Sequence, residues 1–154
     1  MTTLTRADWE QRAQQLKIEG RAFINGEYTA AVSNATFECL SPVDGRLLAQ
    51  VASCDEADAQ RAVENARATF NSGVWSRLAP TKRKATMIRF AGLLKQHAEE
   101  LALLETLDMG KPISDSLNID VPGSAQALSW SGEAIDKIYD EVAATPHDQL
   151  GLVT

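Results

Sequence analysis

Cysteine and histidine are scarce in this chain, and their scarcity removes a class of chemistry. Among 154 residues there are two cysteines, Cys39 and Cys54, and two histidines, His97 and His147. The cysteines have no CxxC spacing and the histidines lie far from both, so zinc-ligand arithmetic fails. Two isolated thiols point to a reducing compartment. Positive charge is also in deficit, with 15 Lys and Arg against 21 Asp and Glu and a formal net charge of −6. The basic residues are scattered apart from Lys82-Arg83-Lys84, so no basic face advertises nucleic acid. No apolar run approaches the ~18 residues of a membrane span, and the opening "MTTLTRADWEQRAQQ" is polar rather than signal-like. These absences describe a soluble cytoplasmic protein without nucleic-acid or membrane partners. There is no internal repeat, no βαβ alternation and no GxGxxG, so the chain carries no dinucleotide fold of its own.

What is present is enough for one domain with a core, or a large piece of a bigger one, since 44% of the residues are hydrophobic. Thr5 can cap a first helix with Trp9, Ala13 and Leu16 on one face, until Gly20 breaks it. In "RAFINGEYTA", Ala22 to Ile24 and Glu27 to Thr29 flank Asn25-Gly26, a strong hairpin signal because both residues tolerate positive φ. A second strand pair spans "ATFECLSPVDGRLLAQVA", with Pro42, Asp44 and Gly45 in its turn. Together these strands read as a small β-meander. Ser53-Cys54-Asp55-Glu56 reads as a capping box before a long helix with Ala59, Ala62, Val63, Ala66 and Phe70 on its apolar stripe, ending at Ser72-Gly73. Pro80 starts the next helix, whose stripe is Met87, Ile88, Ala91 and Leu94; the basic triplet beside it reads first as a solvated helix start, with an acidic partner as the alternative because positive charge at a positive dipole end is unfavourable. Leu101, Leu104 and Leu107 continue to Gly110. A last helix after Pro122 carries Ala127, Trp130, Ala134 and Ile138 on one side. The chain then closes on an apolar, strand-like stub, Leu150 to Thr154, with no evident partner strand.

The helix end "LALLETLDMGKP" is electrostatically odd. Glu105 and Asp108 place negative charge in the last turn, against the macrodipole, so a positive group belongs nearby. Lys111 is the simplest candidate.

Several ordered blocks match one family: "FINGEY" in the first hairpin, "SPVDGRLLAQVA" in the second, "LETLDMGKP" at a helix end and "EAIDK" in the last helix. From about Trp9 to Thr154 the chain resembles the N-terminal part of NAD(P)-dependent aldehyde dehydrogenases, most nearly the bacterial group acting on γ-glutamyl-γ-aminobutyraldehyde and 4-guanidinobutyraldehyde. The resemblance implies an α+β fragment, a helix and β-meander followed by four or five helices, within a parent α/β, Rossmann-like cofactor-binding domain. Residues 1–146 would belong to that domain and 147–154 to the start of the oligomerisation hairpin.

The same resemblance implies that the parent oxidises an aldehyde to its acid with NAD or NADP, using a cysteine nucleophile, an oxyanion hole and a glutamate that activates water. All of these lie beyond residue 154 in the family layout, so no catalytic and no cofactor-binding residue is assigned here, and the segment alone is expected to be inactive. Cys39 and Cys54 read as structural thiols, having no activating base beside them. By position, Asp108 and the carbonyl of Cys39 or Leu40 match ligands of an intrasubunit monovalent cation; the competing expectation pairs Asp108 with Lys111 or makes it a cap. Trp130 falls where the family places tunnel-flanking aromatics, although Ser129 and Ser131 replace the usual basic and second aromatic residues; core packing is the other reading. Helices built to cover a missing sheet should leave apolar faces open, favouring a homo-oligomer or domain-swapped assembly. The alternative function is a non-enzymatic interaction module, or a truncated subunit that joins full-length relatives.

Overall fold

The computed structural model describes residues 4–139, 141–143 and 145–153. Helix α1 (Arg6–Gln15) opens on Thr5, whose hydroxyl accepts from the Asp8 amide while the Asp8 carboxylate accepts from the Thr5 amide. The helix stops at Gln15 rather than running to Gly20, and Gly20 has a different task. A Cβ there would lie 2.1 Å from the Gln50 carbonyl oxygen, and the Gly20 carbonyl accepts from the Ala52 amide at 2.8 Å. Only glycine lets this linker run so close beside the later strand.

Strands β1 (Ala22–Ile24) and β2 (Glu27–Thr29) form the expected hairpin. Asn25 and Gly26 both adopt positive φ, 57° and 79°, as a two-residue turn matched to strand twist requires. Strands β3 (Thr36–Leu40) and β4 (Leu47–Ala52) pair antiparallel around a turn through Gly45, closed by the Ser41 amide donating to the Arg46 carbonyl at 2.8 Å. The register shifts between Cys39, which faces Ala49, and Leu40, which faces Leu47. Leu48 is the extra residue of this bulge. The two hairpins are separate two-stranded ladders rather than one continuous meander.

Helix α2 (Glu56–Ser72) is capped two residues later than the Ser53–Glu56 expectation: Asp55 caps, and Asp58 completes the box. Burial selects this register. The Asp58 carboxylate is 2% exposed and accepts from the amides of Val32 at 3.1 Å and Asp55 at 3.2 Å and from Arg61 Nη2 at 3.3 Å. One side chain thus secures the start of the helix and fastens it to the loop after β2. Gly73 closes α2 at φ 78°.

Helices α3 (Pro80–Gln96) and α4 (Ala98–Met109) follow, then a short α5 (Ile113–Asp115), a π-helical turn (Ser116–Asp120) and α6 (Val121–Ala134). Helix α6 packs along α3, where a Cβ on Gly132 would stand 3.2 Å from Met87 Cβ. The buried apolar set is Ala31, Ala91, Ala102, Leu103, Val121 and Ala125, and the largest fully buried side chains among the described residues are Asp58 and Ser116. A core of small residues goes with open apolar faces: Val63, Phe70, Phe90, Trp130 and Ile138 are all more than half exposed. The expected stripe on α2 exists but faces outward, and so does that of the last helix at Ala127 and Trp130; α6 ends at Ala134, so Ile138, which the spacing places on that stripe, lies beyond the helix.

The terminal stub has a partner after all. Strand β6 (Gly151–Val153) pairs antiparallel with β5 (Glu141–Ala143), Val142 opposite Leu152. This corrects the expectation of an unpaired end; Thr154 lies outside the described residues. The strand is short and follows a helix, so its partner carried no periodic signal.

Asp58→Ala leaves buried amide donors and Arg61 without their acceptor. It should cost about 2–4 kcal/mol in urea unfolding. Asp58→Asn, which keeps one acceptor oxygen, should cost less.

Candidate functional site

The C-terminal end of α4 gathers the groups singled out by charge. Gly110 turns the chain at φ 73°, its amide reaching the Thr106 carbonyl, and its lack of a Cβ admits Pro42, whose Cγ would otherwise be 2.9 Å away. This contact seats the β3–β4 turn against the helix end. Lys111 then folds back, placing Nζ 2.8 Å from Glu105 and 2.6 Å from Asp120. Donating hydrogen bonds to Asp120 and then Glu105 raises its pKa above the ordinary lysine range. The expected Asp108–Lys111 pair is therefore not formed. Asp120 takes its place because the π-helical turn returns the chain over α4, where Ser116, fully buried, shares a 2.9 Å hydrogen bond with Thr106.

Asp108 faces a different neighbour. The Cys39 thiol donates to Asp108 Oδ1 at 3.6 Å, joining β3 to the end of α4. Burial pushes the Cys39 thiol up, and Asp108 adds to that shift, the opposite of what a nucleophile needs. No hydrogen bond among the described residues joins either cysteine to a histidine, lysine or arginine. Cys39, Glu105 and Asp108 rim a cavity of about 370 Å³ whose walls include Ile18, Leu48, Leu101 and Leu104. Leu40 stands just past the register shift, half exposed. Asp108 and Cys39 thus come together through the thiol, whereas the cation reading names the main-chain carbonyl of Cys39 or Leu40. Among the described residues no three His, Cys, Asp or Glu side chains converge as a metal cluster, so any cation here depends on main-chain oxygen, which suits a hard monovalent ion better than zinc.

Trp130 is not packed in the core. It is 72% exposed on a groove of α6 and α3 that also holds Lys95, Pro122, Gln126, Ser129 and Glu133. Beneath it, Lys84 Nζ reaches Glu133 at 2.6 Å and Asp136 at 3.2 Å, while Lys137 meets the same two carboxylates at 3.2 and 3.0 Å. Lys84 thus departs from the solvated helix start expected of the basic triplet and takes the alternative, an acidic partner. The hydrogen bonds it donates to Glu133 and then Asp136 push Lys84 up to about 12, and both carboxylates are held below their ordinary range. No separate sign in the sequence marks Glu133 and Asp136 as the partners. Their three-residue spacing on a helix, which puts both on one face, was the available clue.

The ordered blocks and this geometry agree with the comparisons. The aldehyde dehydrogenase family profile matches residues 28–154, and the chain belongs to that family. It is 52% identical over 147 residues to the NADP/NAD-dependent aldehyde dehydrogenase PuuC of Escherichia coli, covering 96% of this chain and 30% of that protein. The indole-3-acetaldehyde dehydrogenase AldA of P. syringae, solved with NAD+ and IAA, superposes with a TM-score of 0.97 at 85% identity over 99% of this chain and 31% of its own. A γ-glutamyl-γ-aminobutyraldehyde dehydrogenase from Burkholderia cenocepacia gives 0.95 at 53% identity, over 97% and 30%. The chain thus spans about a third of the length of these relatives.

The α3–α6 brace has a definite pH signature. The depressed carboxylates contribute stability present above their unfolded pKa values and lost as pH falls through their folded ones; the raised lysine keeps its contribution until pH climbs through about 12. A double-mutant cycle of Lys84→Met with Glu133→Gln should show coupling at neutral pH that persists into alkali and disappears in acid.

Proposed function

We propose that this segment is the N-terminal scaffold of an NAD(P)-dependent aldehyde dehydrogenase that oxidises an aldehyde, in polyamine or arginine breakdown an aminoaldehyde, to its carboxylic acid. The observation that carries the reading is the family match across residues 28–154, supported by relatives that include an aminoacetaldehyde dehydrogenase of Pseudomonas aeruginosa, 42% identical. Hydride acceptance by the nicotinamide and attack by a cysteine belong to the remainder of such an enzyme; this segment supplies support. The outward apolar faces of α2 and α6 fit helices that cover a sheet. The β5–β6 hairpin, whose second strand is Gly151–Val153, and with it the segment 147–154, serves as the beginning of an oligomerisation arm in a homo-oligomer of the cytoplasm. Trp130 lines the flank of the substrate passage from its exposed place on α6. Full-length protein carrying this segment should produce NADH or NADPH from aminoaldehydes, followed by absorbance, whereas the segment alone should produce none.

Within the same reading, Asp108 and the main-chain oxygen of Cys39 or Leu40 hold a monovalent cation. A carboxylate facing the carbonyl end of α4 is repelled by it, and a cation between them relieves that repulsion. The bulge beside Cys39 supports this reading because it interrupts the regular strand pairing there. Potassium or sodium chloride should then raise the melting temperature of the full-length enzyme above the value in an equal concentration of tetramethylammonium chloride. Asp108→Asn should abolish the difference while leaving the response to NAD+ intact.

A further inference from the structure

The β1–β2 turn holds the one Asn-Gly step of the sequence, Asn25-Gly26, and the surroundings of that step give it a chemistry of its own. Both residues are exposed, and nothing stands within 4 Å of the point where a Cβ on Gly26 would sit. The Gly26 nitrogen therefore has no side chain of its own beside it, and no residue beyond its chain neighbours presses on that position. Across the gap to α2, Asn65 Nδ2 donates to Asn25 Oδ1 at 2.9 Å. We propose that Asn25 is a site of spontaneous deamidation, and that the hydrogen bond from Asn65 restrains its rate.

The step needs only water. The Gly26 main-chain nitrogen attacks Asn25 Cγ; a Cγ–N bond forms, the Cγ–Nδ2 bond breaks, and ammonia leaves with the proton from the Gly26 N–H. One water opens the resulting succinimide at either carbonyl. The product at position 25 is aspartate or, with the main chain rerouted through the former side chain, isoaspartate. Nothing is oxidised or reduced.

Two neighbouring cases show why this position is singled out. Asn34 has a similar positive φ, 58°, but is followed by Ala35, whose Cβ crowds the attacking nitrogen. Asp44-Gly45 could reach the same ring, yet Asp44 Oδ1 accepts from the Arg46 amide at 3.2 Å, and the Ser41 hydroxyl, with that amide, holds its carboxyl below the ordinary range. An ionised carboxylate is a poor electrophile. Asn25 keeps a neutral amide, and its restraint is the bond that fixes Oδ1 toward α2 and so keeps Cγ from swinging onto the Gly26 nitrogen.

Isoaspartate would lengthen the main chain inside a two-residue turn. That undoes the pairing of Ile24 with Glu27 and the edge-to-face contact of Phe23 with Tyr28, now 5.0 Å between ring centroids. The full-length protein, held at mildly alkaline pH and mapped by peptide mass, should gain about 1 Da at the Asn25 peptide, with no isoaspartate at the Asp44 peptide. Asn65→Ala should accelerate the gain several-fold. So should Asn65→Leu, which keeps the side-chain volume and removes only the donor. A native protein unchanged at Asn25 while its urea-unfolded form converts, or variants converting no faster than the parent, would overturn the proposal.

Discussion

The Lys111 ammonium, held between Glu105 and Asp120, governs how the chain leaves α4 and therefore where everything after it lies. It answers the excess negative charge of the last helical turn. It also draws the start of α6 back onto α4, with the buried Thr106–Ser116 hydrogen bond alongside. Because Lys111 is engaged by two other carboxylates, Asp108 is left to face β3 and the Cys39 thiol. The proposed cation corner is thus defined by a lysine that takes no direct part in it.

Helix α6 shows how apolar pattern and packing part company. Val121, Ala125 and Gly132 are buried, at the four- and seven-residue steps of one helical face. Ala127 and Trp130 lie on another face and are exposed. A helix apolar on more than one side is built to be covered on more than one side. Periodicity reveals such a helix but does not say which side finds its partner within the segment. The small residues decide it: Gly132 permits the close approach to Met87, whereas Trp130 is too large for that seam. The same reasoning covers α2, whose fully buried residue is the polar Asp58 and whose Val63 and Phe70 look outward.

Where local chemistry suffices, the sequence was legible. The Asn25-Gly26 turn, the Thr5 cap, the Pro80 start and the glycine stops at Gly73 and Gly110 all follow from what single residues permit, and all are found. Asp108 was legible as an anomaly, a charge set against the dipole. Its partner was not, because Asp120 outcompetes it for Lys111 only after a π-helical turn that leaves no mark in the pattern. The displaced capping box has the same origin. Ser53–Glu56 and Asp55–Asp58 are comparable on local grounds, and tertiary burial of Asp58 beneath Val32 chooses between them. The β5–β6 pairing was missed because each strand has three residues, too few for alternation to show.

The π-helical turn carries one more implication. Its ring closes from the Val121 amide to the Ser116 carbonyl, one residue wider than an α-helical ring. Since each residue of an α-helix advances the chain by about 100° around the axis, that single surplus residue sets the angular phase of α6 relative to α5. A chain shorter by one between Ser116 and Asp120 would keep every side chain of α6 and still present the wrong meridian to α3. Length here acts as an index mark, set by the number of residues in the turn as much as by their identity.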